Sequence, residues 1–107
     1  MNTKLKKKWI DALRSGEYKQ ARGALARTEH RDDDPTKAST PMCCLGVLLH
    51  VAEGNAYAPG LCEGELLSGK ALSKFDLTAV AMENLASMND TKGFGFKKIA
   101  KYIEKNL

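Results

Sequence analysis

The run Met42-Cys43-Cys44-Leu45-Gly46-Val47-Leu48-Leu49-His50-Val51-Ala52 holds no Asp, Glu, Lys or Arg and is apolar on nearly every side when wound as a helix. A helix without a polar face is stable only when other elements surround it. In a chain of 107 residues the flanking segments must supply that cover. Thr40-Pro41 reads as the helix start, since threonine caps free amides and proline at the first helical position gives up no hydrogen bond. Glu53-Gly54-Asn55 reads as its end. Gly46 interrupts the run at roughly 1 kcal/mol relative to alanine, a sign that another backbone passes close by.

The covering elements read as amphipathic helices. Over residues 3–15, Leu5, Trp9, Ile10 and Leu13 fall on one side by i, i+4, i+8 spacing, with Asp11 and the basic residues largely elsewhere. Asn2 or Thr3 caps this helix and Ser15-Gly16 stops it, because glycine enters the left-handed conformation cheaply. A third helix is expected behind a cap at Asp76, with Leu77, Val80, Ala81, Leu85 and Met88 on one face and a turn over residues 89–93. The last helix, from about Gly95, buries Phe96, Ile99, Ala100, Ile103 and Leu107 and turns Lys97, Lys98, Lys101 and Lys105 outward. Residues 17–27 read equally as extended chain or a helical turn, and residues 28–41 as a loop. Residues 55–72, rich in glycine and short apolar pairs, read as short strands or a hairpin. The expected fold class is α+β, mainly α: about four helices around one core with a short strand or hairpin element, in a single domain over residues 1–107.

Several function classes lack support. No apolar run approaches the roughly 20 residues of a membrane span. The basic start lacks the apolar stretch of a signal peptide, so the expected location is cytoplasmic. Three cysteines, two of them adjacent, make a poor disulfide framework and read as small buried hydrophobes. A zinc site would draw on Cys43, Cys44, Cys62, His30 and His50, which lack ligand spacing. Asp32-Asp33-Asp34 lacks the spaced ligands and glycine turn of a calcium loop. No metal and no cofactor is therefore expected. His50 reads as a hydrogen-bonded edge residue. There is no Gly-x-Ser-x-Gly elbow, phosphate loop or His-Glu-x-x-His pattern, and no catalytic residue is nominated. Gly93-Phe94-Gly95-Phe96 is similar to glycine–aromatic RNA-binding strings but precedes a helix, so Phe94 and Phe96 read as a staple and a core residue.

Charge is polarised. Residues 1–22 carry +5, residues 92–107 carry +4 and the middle carries −5. If the two ends pack together, Lys4, Lys7, Lys8, Lys97, Lys101 and Lys105 form one basic face. The competing reading is that these lysines coat the solvated sides of two helices. Lysines in the first turns of a helix also oppose its dipole. A second candidate is the stretch after the first helix: Arg14 and Arg22 to fork onto a phosphate or carboxylate, Tyr18 to stack, Gln20 to donate and accept. The competing reading is that Tyr18 packs on Trp9 while the arginines pair with the acidic middle.

Three blocks carry a resemblance: Trp9-x-x-Ala12-Leu13-Arg14-Ser15-Gly16-x-Tyr18-x-Gln20, then Cys43-Cys44-Leu45-Gly46-Val47-Leu48, then Asn89-Asp90-x-x-Gly93-x-x-Phe96-x-x-Ile99-Ala100-x-x-Ile103-Glu104. In this order they resemble a family of small proteins encoded by tailed bacteriophages, with Met42 and Gly95 departing from its pattern. The resemblance implies a source, a phage acting in the cytoplasm of its bacterial host, and brings no activity. Three readings follow. The first is a non-enzymatic host-directed binding protein that inhibits a bacterial enzyme or defence system. The second is a nucleotide or signal-molecule sponge using Arg14, Tyr18, Gln20 and Arg22. The third is a nucleic-acid-binding accessory protein using the lysine face.

Overall fold

In the computed structural model, residues 1–29 and 33–107 are described. His30 and Asp32, raised above as metal ligands, lie outside them. Among the described residues there are five helices and one antiparallel hairpin: α1 (Thr3–Ser15), α2 (Cys44–Glu53), β1 (Cys62–Glu63), β2 (Leu66–Leu67), α3 (Gly69–Phe75), α4 (Ala79–Asp90) and α5 (Phe96–Asn106). The hairpin pairs Cys62 with Leu67 and Glu63 with Leu66. The fold is α+β and mainly α, as the periodicities require.

α2 is the buried centre: every residue from Cys44 to Leu49 is buried. α1 lies across it and against α5. Trp9 is fully buried, and its indole N–H donates to the Cys44 carbonyl at 2.9 Å, which fixes α1 to the start of α2. Gly46 meets the expectation of a close approach, because a Cβ at this position would overlap the Leu25 carbonyl. That carbonyl accepts from the Cys43 N–H at 3.1 Å.

Met42 is held on both sides by the 19–27 segment. Its N–H donates to the Lys19 carbonyl and its carbonyl accepts from Ala21, both at 2.8 Å, while Arg27 N–H reaches the Pro41 carbonyl at 2.8 Å. These bridges keep residues 41–43 extended, so α2 starts later than Thr40-Pro41. Cys43 is its N-cap, with Sγ accepting from the Gly46 N–H at 3.5 Å. Thr40 instead closes its own loop, donating to the Asp34 carbonyl at 2.7 Å and accepting from the Asp34 N–H at 2.9 Å.

The C-terminal half departs from the periodicity in several places. α3 was not expected; Ser68 caps it by accepting from the Ala71 N–H at 3.2 Å. Asp76 ends α3 in the left-handed conformation, with φ 53°, and does not cap α4. Thr78 does, accepting from the Ala81 N–H at 3.0 Å. With that phase Val80 is 66% exposed, and the buried face becomes Met82, Leu85, Met88 and Asn89. Asn89 and Asp90 form the last turn of α4 rather than the turn after it. In α5 the core face is Phe96, Ile99, Ala100 and Ile103, with Leu107 only half-buried.

Candidate functional site

The four polar residues nominated at and beyond the end of α1 are placed apart. Arg14 leaves the end of α1 to meet Glu104 of α5 in a two-pronged pair, Nη1 to Oε2 at 3.1 Å and Nη2 to Oε1 at 3.2 Å. The guanidinium hydrogen bonds hold the Glu104 carboxyl below its usual range, and the same contact raises Arg14. The partner of Arg14 therefore lies in the last helix and not in the acidic middle.

Tyr18 donates to His50 of α2. Its hydroxyl is 2.7 Å from Nδ1, and the rings meet edge to face with centroids 5.4 Å apart. His50 Nε2 is 2.9 Å from the Thr36 carbonyl, which can only accept. The neutral ring therefore carries its proton on Nε2 and takes the Tyr18 proton in a hydrogen bond at Nδ1. Burial, with help from Glu17, raises the phenol above its ordinary range.

Gln20 donates through Nε2 to Asn89 Oδ1 at 2.9 Å and to the Phe94 carbonyl at 2.7 Å. Asn89 is fully buried and uses all its capacity. Its Oδ1 also accepts from the Cys44 N–H at 3.2 Å, and its Nδ2 donates to the Ala21 carbonyl at 2.8 Å and to Asp90 Oδ1 at 2.7 Å. Asp90 in turn accepts from the Gly23 N–H at 2.9 Å. Asn89, not among the residues nominated from sequence, is the hub of this network. Arg22 is exposed, with its guanidinium beside Gly93.

The predicted basic face divides along α1. Lys7 and Arg14 lie on the α5 flank, where Lys6, Lys7, Ile10, Asp11, Arg14 and Glu104 border a cleft of about 390 Å³. Lys4 and Lys8 lie on the other flank, beside Val51 of α2 and Phe75 of α3. On α5, Lys97, Lys101 and Glu104 recur at i, i+4 and i+7 and so share one stripe. Lys6 Nζ reaches the Glu104 carbonyl at 3.4 Å, so the Glu104 end of this stripe lies beside α1. α1 carries five basic residues against Asp11, and α5 carries four against Glu104. The two helices thus hold +7 in a chain of net charge +4. The ends do pack together, and with Lys4 and Lys8 on the other flank set aside the two helices still hold +5.

Burial pushes the Cys43 thiol up to about 11 and Cys44 well above the ordinary thiol range. Tyr57, half-buried and hydrogen-bonded to Glu65 at 2.8 Å, is pushed up to about 12, chiefly by desolvation. Among the described residues no group of three or more His, Cys, Asp or Glu side chains is placed to hold a metal ion. No helix among them is long and apolar enough to cross a membrane.

A family model described as a domain of unknown function, DUF8296, matches residues 1–59. The match spans α1, the 19–27 segment and α2, and ends before the hairpin. No curated protein and no solved structure matches the chain.

Proposed function

We propose that this chain, which belongs to the DUF8296 family, is a non-enzymatic binding protein that docks its α1–α5 seam on an acidic surface of a partner protein. The observation that carries this reading is the +5 that the two packed helices hold once Lys4 and Lys8, on the other flank of α1, are set aside, with Lys97, Lys101 and Lys105 exposed to a partner. Such a field accelerates encounter with an acidic surface and sets its orientation. Asp11 and Glu104 on the same seam favour a protein over nucleic acid. A phosphate backbone would meet two carboxylates there, whereas a protein surface can offer cations against them. If the source is a tailed phage, the partner is a protein of the bacterial host and the effect is inhibition of an enzyme or defence complex.

The experiment is co-purification from host cells of the tagged protein, its Lys97→Glu/Lys101→Glu variant and a Lys70→Glu control on α3. The reading expects a stoichiometric protein partner that the control keeps and the double variant loses. Release of nucleic acid alone, or a partner indifferent to the double substitution, would overturn it.

A further inference from the structure

The opposite flank of α1 carries a different site. Between the first turns of α1, the end of α2 and α3 lies an open cleft of about 300 Å³. Its floor is apolar: Leu5, Val51 and Ala52 are half-buried and Phe75 is buried at its end. Lys4 and Lys8 form one lip, and Lys74, tied to Glu53 at 2.8 Å, forms the other. Clefts of this size with an apolar floor and a few convergent charges are the usual form of small-ligand sites.

The two lip lysines have no local reason to be there. The first turn of α1 has no acidic residue, and cations at a helix N-terminus oppose the helix dipole. Lys4 and Lys8 are also one turn apart, where like charges repel. Their neighbours are compensated: Lys7 pairs with Asp11 at 2.8 Å and Lys6 reaches the Glu104 carbonyl. Lys4 and Lys8 have no carboxylate partner among the described residues. They have long aliphatic stems that can lie along the apolar floor while their heads converge at its edge.

We infer that this cleft binds a small soluble organic anion, one carboxylate or phosphate head on a compact apolar body, with the head between Lys4 and Lys8 and the body on Leu5, Val51 and Phe75. The inference goes beyond the docking reading and uses none of the seam residues.

The test is a titration followed by backbone amide and methyl NMR, with octanoate, octyl phosphate and octylammonium as probes. One or both anions should give saturable shifts confined to Leu5, Lys8, Val51, Ala52 and Phe75, and the preferred anion identifies the head group. Octylammonium should bind at least about tenfold more weakly. In Lys4→Glu/Lys8→Glu the anion affinity should fall by about tenfold or more while the fold stays at least as stable, because acids suit the first turns of a helix. Lys97→Glu/Lys101→Glu should leave the titration unchanged. Equal binding of octylammonium, shifts spread over the whole surface, or no loss in the Lys4/Lys8 variant would each overturn the inference.

Discussion

Asn89→Ala should destabilise the protein more than any other single polar truncation. Asn89 is fully buried and meets four groups: the Cys44 N–H, the Ala21 carbonyl, Gln20 Nε2 and Asp90 Oδ1. The last two retain other partners, namely the Phe94 carbonyl and the Gly23 N–H. The first two are main-chain groups of buried residues that the truncation leaves without this partner, and each orphaned group costs about 1–3 kcal/mol. The void left by the side chain adds about 1 kcal/mol. The expected loss is therefore about 4 kcal/mol, much of the stability of a domain held by roughly 5–15 kcal/mol. Gln20→Ala is the comparison: Gln20 is half-buried and water can replace it at the Phe94 carbonyl, so about 1 kcal/mol is expected. Urea unfolding followed by far-UV circular dichroism measures both. A loss in Asn89→Ala below about 1.5 kcal/mol, or no larger than that of Gln20→Ala, would refute the view of Asn89 as the hub joining the 19–23 segment, α2 and α4.

Gly46→Ala should lose about 2 kcal/mol by thermal or urea unfolding despite better helix propensity, since the new Cβ overlaps the Leu25 carbonyl. Gly69→Ala, with open space around its Cβ, should be neutral or slightly stabilising in the same assay. Glu104, whose folded pKa is held below that of an unpaired glutamate by the Arg14 hydrogen bonds, contributes stability that is present above the unfolded pKa and is lost as pH falls through the lowered folded pKa. Carboxyl NMR should show its midpoint below that of an unpaired glutamate and a return upward in Arg14→Ala. A thiol reagent at pH 8 should modify at most Cys62 in the folded protein and all three cysteines in denaturant, because Cys43 and Cys44 are buried as thiols.

What the sequence makes legible here is what periodicity and local chemistry encode. α1 and α5 are long enough for their apolar stripes to repeat, and α2 declares its burial by having no polar face. α3 has seven residues, too few for a stripe to establish itself beside the hairpin. The start of α2 was misplaced because a cysteine sulfur caps it and because backbone bridges from residues 19–27 hold Met42 extended. The same limit applies to the site. Gln20 and Asn89 are 69 residues apart and Arg14 and Glu104 are 90, so no local pattern reveals that these polar groups face each other. One clue was available: Asn89 follows Leu85 and Met88 at helical spacing, on the buried face of α4. The charge polarity was legible as a sum, but its division between the two flanks of α1 requires the positions of α2, α3 and α5.

The central claim, docking through the α1–α5 seam, is tested most directly by hydrogen–deuterium exchange of the purified complex with its co-purified partner. The account predicts added protection over residues 6–14 of α1 and 97–105 of α5, diminishing as salt weakens the complex. Protection confined to α3, α4 or the hairpin, with the seam unchanged, would contradict it.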